Sequence, residues 1–467
     1  MGYKIVYTKP KTVWVSMGIL SNTLDSNAYS PNLVNDRNMI LNSGMEIYEL
    51  KDVINGDFIT GSTPNYSENI IENGAALLKT VNIYSNYLDD SKLFYISNSV
   101  HENRLKRSQL KKGDIILTVI GATDEVVGRA IVYNGYPEKA NITQSLCKFG
   151  INQKYDNYYI STFINCKYGH SMILQMAASS TRRYINNADL GTLLIPIPSP
   201  EIQKYIGDKV RKAEELREEA KRLKKEAEEI LDKELGLGEM KLYVEKMSKK
   251  KYSWIQNIQL GDRIDGDFYK STYNYLNKLD NLSRLEKFYK ISKKRIDRNL
   301  KGQIKYIDLS SVNSIIEPNE YNIDELPSRA QFLVGSGDLI ISVLKGSNKI
   351  SIVPEHLKGS VCSTGFVVIN SKSYLTTEYL YLIFTNKLFN MQIDRYSTGS
   401  VMSGVNHDDF NEMYIPVISD KQKVYYITHK VSQYFGLLYQ SKQLIQEAKQ
   451  DVEDLIEGNF DMSKVKA

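Results

Sequence analysis

Five histidines (His101, His170, His356, His407, His429), three cysteines (Cys147, Cys166, Cys362) and two adjacent carboxylate pairs (Asp89–Asp90, Asp408–Asp409) are the side chains from which a catalytic or metal centre could be built. Their spacing does not build one. The histidines form no cluster, and the cysteines form neither a Cys-x-x-Cys nor a Cys/His ligand pattern. Three isolated thiols read as small buried apolar side chains in reducing surroundings. The aspartate pairs read as loop or helix-start residues. There is no GxxxxGK[ST], no GxGxxG after a strand, no HExxH, no GxSxG and no zinc-deaminase spacing. "VGSGD" (334–338) runs into a strand and reads as a turn. An amino-methyltransferase would carry an Asn/Asp-Pro-Pro-aromatic tetrapeptide, and none is present. The residues point to binding and scaffolding rather than catalysis.

With 467 residues, 42% hydrophobic and 25% charged, the chain reads as two or three soluble globular domains. No apolar run reaches the ~20 residues needed to span a bilayer. "VWVSMGIL" is too short for a secretory core, and Val6 stands where a myristoylation signal needs Ser or Thr. These features read as cytoplasmic. The net charge is only +5. A stand-alone duplex binder is usually more basic. Either nucleic acid is not the partner, or the cations are concentrated locally, or another subunit supplies them. The 33 tyrosines suit cores and interfaces, and also polar, base-rich surfaces.

The chain is written twice. Gly113-Asp114-Ile115-Ile116-Leu117-Thr118-Val119 lies over Gly337-Asp338-Leu339-Ile340-Ile341-Ser342-Val343. Upstream, "ALLKTVNIYS" (76–85) matches "QIKYIDLSS" (303–311), and "LDSNAYS" (24–30) echoes "IDGDFYK" (264–270). Downstream, "NNADLGTLLIPIPSP" (186–200) matches "NHDDFNEMYIPVISD" (406–420). The offset drifts from 240 through 224 to 220 with order preserved, as a duplicated unit with altered loops would show. Within each copy, short β-rich runs alternate with turns and with helical stretches at 155–177 and 376–394.

Each copy ends in a long amphipathic stretch. Ala213, Leu216, Ala220, Leu223, Ala227 and Ile230 follow a 3-4-3-4-3 spacing that makes one helical seam. Gly236 and Gly238 read as its end, at about 50 Å. Val424, Ile427, Val431, Tyr434, Leu438, Ile445, Ala448, Val452 and Leu455 keep a second seam, broken by Ser441, with Gly458 as the stop. Exposed seams need partners, and the chain order predicts that the two helices cover each other antiparallel. The expected fold class is therefore α+β: two repeated globular α/β domains separated by an antiparallel pair of long coiled-coil helices. The expected boundaries are 1–200, 201–240 (first helix), 241–418, 419–460 (second helix) and a tail at 461–467.

With these features in view, the sequence resembles the specificity subunit of type I restriction-modification systems. "GSTP" (61–64) followed by "ALLKTVNIYS" looks like that family's Gly-x-Thr-Pro turn and strand. "LKKGDIILTVIG" resembles its Gly-Asp strand, and "LLIPIPSPEIQKYI" its Ile-Pro-x-Pro lead into the conserved helix. The second copy departs from this with "IPVISDKQ" and has no GxTP turn. The resemblance implies that each globular unit is a target-recognition domain for one part of a bipartite double-stranded DNA sequence. It implies helices that set the spacing and dock two methyltransferase (modification) subunits, with restriction/translocase subunits as further partners and no membrane. This chain would be non-catalytic and bind no cofactor. S-adenosylmethionine, ATP and Mg would belong to the partner subunits, within an adenine methyltransferase and ATP-dependent endonuclease complex. The competing readings are a coiled-coil adaptor and the specificity protein of a methylation-only or other phage-defence complex.

On that basis the DNA-contact candidates are cations and amides at strand ends and loops, since Lys and Arg suit phosphates while Arg and Asn can also read base edges. In the first copy these are Lys79, Asn82, Tyr84, Arg129, Arg182 and Arg183. In the second they are Lys293, Lys294, Arg295, Arg298, Lys305, Lys345, Ser347, Asn348 and Lys349. The alternating Lys/Glu run at 211–234 reads instead as a solvated flank or partner-docking face.

Overall fold

The computed structural model describes residues 26–64, 74–177, 183–250, 254, 264–399 and 403–466. The chain divides into two compact units, Met1–Glu215 with Gln440–Ala467, and Leu216–Tyr439. Both long helices, Pro200–Leu235 and Lys421–Glu457, contribute to each unit. Of the "LDSNAYS" echo, Leu24 and Asp25 lie outside the described residues.

The first unit centres on an antiparallel four-stranded sheet in the order Ile54–Thr60, Leu146–Ile151, Ile115–Thr118, Ala130–Val132. The Ile115–Thr118 strand is buried at every position, which is why its sequence is an unbroken apolar run ending in a hydroxyl. Gly113, at φ 95°, opens it. That backbone conformation favours glycine, and it lets Asp114 fold back. The Asp114 carboxylate accepts from the Lys111 backbone N–H at 2.9 Å and from Lys148 Nζ at 2.8 Å. A second sheet places Ala75–Leu78 between Ala140–Ile142, parallel, and Phe94–Ile96, antiparallel. Asp156 caps the helix Asn157–Asn165 through the Tyr158 and Tyr159 backbone N–H groups. The buried Tyr159 hydroxyl donates to the Pro196 carbonyl at 2.7 Å. Pro196 lies in the strand Leu194–Ile197, which pairs with Glu46–Glu49 in a two-stranded ladder where a missing N–H is tolerated.

The second unit repeats this plan. Its four-stranded sheet runs Tyr289–Ser292, Phe366–Ser371, Leu339–Ser342, Ile350–Ile352, again antiparallel. Gln303–Ile307 pairs parallel with Val361–Ser363 and antiparallel with Asn319–Asn322, and Ala330–Leu333 adds a fourth strand. Gly337 has φ 77°, Thr376 caps Thr377–Thr385, and the Tyr379 hydroxyl donates to the Pro416 carbonyl at 3.0 Å.

Each helical stretch read as continuous in the sequence is broken in two, into Asn157–Asn165 with Lys167–Met176, and Thr377–Thr385 with Lys387–Tyr396. Cys166 and Asn386 take extended backbone there, and the Asn386 side chain caps the following helix by accepting from the Leu388 N–H. Gly169 sits against the break. A Cβ on it would lie 2.0 Å from the Phe163 carbonyl oxygen, so the tight approach requires glycine.

Segments of the two long helices pack together inside each unit. In the first, Ile202, Ile206 and Val210 share a core with Ala448, Val452 and Ile456, and Lys209 Nζ bonds Asp451 at 2.5 Å. In the second, Ala220, Ala227 and Leu231 share a core with Val424, Ile427, Val431, Tyr434 and Leu438. There Glu226 pairs with Lys430 and Glu234 with Lys423, an antiparallel sequence of partners. Ala213 and Leu223 are buried, Leu216 and Ile230 half-buried; on the second helix Ile445 is buried and Leu455 half-buried. Leu231 and Ile456, one residue on, take the deeper positions. Ser441, where the pattern breaks, is fully buried. Gly236 (φ 62°) ends the first helix, as its sequence suggested. Gly238 does not act as a stop. It lies inside a further helix, Leu237–Ser248, because one left-handed residue is enough to turn the chain. Gly458 (φ 76°) follows the second helix.

Candidate nucleic-acid interface

In the first unit, Lys79, Asn82, Tyr84 and Arg129 converge at the end of the Ala75–Leu78 strand. Lys79 Nζ lies 3.2 Å from the centroid of the Phe94 ring. Asn82 is buried and turned inward. Its Oδ1 accepts from the Lys79 N–H, and its Nδ2 donates to the Asp89 and Lys92 carbonyls at 2.9 and 3.1 Å. It therefore shapes the loop that presents its neighbours. Tyr84 stacks on Tyr87 across a two-residue hairpin, centroids 4.7 Å apart and planes 10° from parallel. The Arg129 guanidinium lies 5.2 Å from the Tyr84 ring, with its Nε donating to the Glu125 carbonyl at 2.7 Å.

Buried amides hold this hairpin. Asn86, at φ 60°, accepts from Ser161 Oγ at 3.0 Å and Asn165 Nδ2 at 2.8 Å. A planar cation fixed over an aromatic pair can face phosphate or a base edge with little loss of freedom. Arg183 sits on a short strand, Arg183–Tyr184, paired with Ile120–Gly121, and its Nε bonds Asp124 at 2.6 Å. Arg182 lies outside the described residues. Tyr87, Phe94 and Asn165 were not singled out in the sequence, although two tyrosines flanking "SN" do carry a hairpin signal.

In the second unit the candidates are more dispersed. Lys293 pairs with Asp408 at 2.7 Å, both exposed. That lysine contact holds the Asp408 carboxyl below its ordinary range. Burial depresses the neighbouring His407 imidazole, so it stays neutral. Lys294 and Arg295 are exposed, with the Arg295 guanidinium 6.0 Å from the Phe332 ring. Arg298 donates to the carbonyls of Leu326, Pro327 and Ala330 and thereby anchors that loop. Lys305 is half-buried on its strand opposite Glu320. Lys345, Ser347, Asn348 (φ 50°) and Lys349 form the turn into Ile350–Ile352, with Lys349 Nζ on Asn313 Oδ1 at 2.7 Å.

The three cysteines are buried, and desolvation pushes each thiol up to about 12, which leaves them unreactive. Among the described residues no helix is long and apolar enough to cross a membrane.

Similar solved structures include the type I restriction-modification S subunit from M. genitalium, at 12% identity and TM-score 0.43, over 90% of this chain and 98% of that one. The HsdS subunit from Thermoanaerobacter tengcongensis aligns at 13% identity and TM-score 0.28, over 89% of this chain and 97% of its own. No curated protein matches the chain. Residues 42–229 match the family model described as the type I restriction modification DNA specificity domain. Over those residues the chain is similar to the DNA specificity domain of type I restriction-modification systems.

Proposed function

We propose that each compact unit reads one part of a bipartite duplex target, and that the paired long helices set the gap between the two parts and dock two methyltransferase subunits. The observation that carries this is the repetition of one sheet order, with one Gly-Asp hinge, in both units. A subunit that reads a single site has no use for two copies of the same reader. In this proposal the chain works in the cytoplasm and does no chemistry itself. The modification partners bring S-adenosylmethionine and methylate adenine; restriction/translocase partners bring ATP and Mg.

DNA contact in the first unit would come from Lys79, Arg129 and Arg183, with Tyr84 supporting Arg129. In the second unit it would come from Lys293, Lys294, Arg295, Lys305 and the turn Lys345–Lys349. Each helix of 36 or 37 residues is about 54 Å long. Half-sites one helical turn apart need about 34–36 Å.

The test is a paired insertion of four residues after Glu215 and after Tyr439, the two points where the helices pass from one unit to the other. It lengthens the rod by ~6 Å. Mapping methylated adenines in cells should then show the gap widened by one or two base pairs, at ~3.4 Å each. An insertion variant that methylates the parental sequence with its parental gap would refute the ruler.

A further inference from the structure

The chain's charge of +5 is distributed unevenly. Between the strand Phe94–Ile96 and Gly113, Arg104, Lys106, Arg107, Lys111 and Lys112 stand against a single carboxylate, Glu102, a net +4 in sixteen residues. All five cations are exposed. The charged side-chain ends of Lys106, Arg107, Lys111 and Lys112 have no carboxylate partner among the described residues. The first long helix treats its charges differently, neutralising them in line: Lys204 and Arg211 with Asp208, Lys212 with Glu215, Lys221 with Glu218 and Arg222 with Glu226.

This basic turn is fixed. Asn141, fully buried, donates to the Leu105 carbonyl at 2.9 Å and to Ser108 Oγ at 3.2 Å, while its Oδ1 meets His101 Nδ1 at 2.5 Å. Gln109 Nε2 donates to the His101 carbonyl at 2.9 Å, and Leu105 packs with Ala75, Leu77 and Ile96. A buried polar network thus holds a group of mutually repelling cations in one place, an arrangement that gives the fold no stabilisation of its own. The topology does not require it either. The matching segment of the second unit, between Asn319–Asn322 and Gly337, carries Asp324, Glu325 and Arg329, a net −1.

We propose that the Arg104–Lys112 turn clamps the sugar-phosphate backbone of duplex DNA, anchoring the first unit without reading sequence. The inference rests on the DNA-reading function proposed above. The chain leaves the three-stranded sheet toward this turn at Ile96, which pairs with Ala75 at the end opposite Lys79, and then returns along the sheet edge where Gln109 bridges Asn141. The four-residue strand between the two ends spans ~10 Å. With side-chain reach this suits contact with both sides of a major groove about 12 Å wide.

The test is the K106Q–R107Q variant of the full chain, titrated with random-sequence duplexes over a salt series. Losing two phosphate contacts should lower the magnitude of the slope of log K against log salt by about 2, at ~0.9 per contact. The loss should be the same for every duplex, with thermal unfolding unchanged. A slope equal to that of the parent, or a loss confined to one sequence, overturns the clamp. A parent chain that shows no salt-dependent duplex binding overturns the DNA reading instead, so the two failures are distinguishable.

Discussion

Asp114 and Asp338 occupy the same turn in the two units, one residue after a left-handed glycine, and each accepts a backbone N–H three residues back, from Lys111 and Gly335. Only the first has a buried cation beside it. Lys148 reaches Asp114 from the neighbouring strand. The residue at the matching register in the second unit is Val368, opposite Ile340 as Lys148 is opposite Ile116. Burial therefore raises the Asp338 carboxyl above its ordinary range, with the Gly335 N–H, the Asn370 side chain and Lys294 opposing. What the fold needs from the hinge is a side-chain oxygen that accepts a backbone N–H and closes the turn; the ion pair is particular to one unit.

The difference can be broken from either side. Asp114→Asn leaves the buried Lys148 ammonium without a counter-charge and should cost the first unit about 3–5 kcal/mol. Asp338→Asn keeps an oxygen acceptor for Gly335 and removes a buried charge, so it should change stability by about 1 kcal/mol or less at neutral pH. Denaturant unfolding, with hydrogen exchange at Ile115–Thr118 and Leu339–Ser342 to separate the units, measures both. The raised carboxyl also sets a pH dependence. Its contribution to stability is fully present below the unfolded carboxylate value near ~3.9 and is lost as pH rises through the higher folded value. Asp338→Asn should flatten that dependence in the second unit. An Asp338→Asn as damaging as Asp114→Asn would mean that both carboxylates act through charge.

The helix pair offers the next contrast. Asp451 in the first unit is 3% exposed and accepts from both Lys209 and Lys464. Glu226 in the second unit is one-third exposed and pairs with Lys430. Asp451→Ala should cost about 3 kcal/mol because it strands a partly buried ammonium. Glu226→Ala also leaves an ammonium unpaired, since Lys430 is 10% exposed, but water reaches the one-third-exposed carboxylate side of that pair and screens it, so the unfolding midpoint should fall less. Equal losses would place the two ends of the helix pair in the same dielectric surroundings.

The sequence showed the architecture at the positions where the backbone demands a particular residue. Gly113 and Gly337 were legible because a left-handed hinge tolerates little else, and the apolar seams were legible because a helix repeats its face. The breaks at Cys166 and Asn386 were not, because neither residue is a strong helix breaker; the first comes with the close approach of Gly169 to Phe163, the second with the Asn386 side chain capping the next helix. Candidate contacts were harder still. Asn82 and Arg298 have suitable chemistry, but their polar atoms serve the backbone of their own loops, and residue type does not reveal which way a side chain turns. The turn Arg104–Lys112 was not among the sequence candidates. Its significance appeared only when Asn141, distant in sequence, was seen to fix it.

The smallest expected effect tests whether the two units meet DNA in the same way. The second unit also holds a net +4 segment, but elsewhere in the plan: Lys293, Lys294, Arg295, Arg298 and Lys301 with Asp297, directly after the strand Tyr289–Ser292. Its counterpart to the basic turn is acidic, with Asp324 exposed. The Ile323 N–H donates to the Gly302 carbonyl at 3.0 Å, so the two segments lie side by side; if the second unit's phosphate contacts stay within 293–301, Asp324 remains outside them. Asp324→Lys should then leave the salt slope of duplex binding within ~0.2 of the parent. A slope steeper by about 0.9 would mean that one more phosphate had been contacted. It would put the turns of both units against DNA in equivalent positions, making the acidic turn a brake on the second unit's affinity.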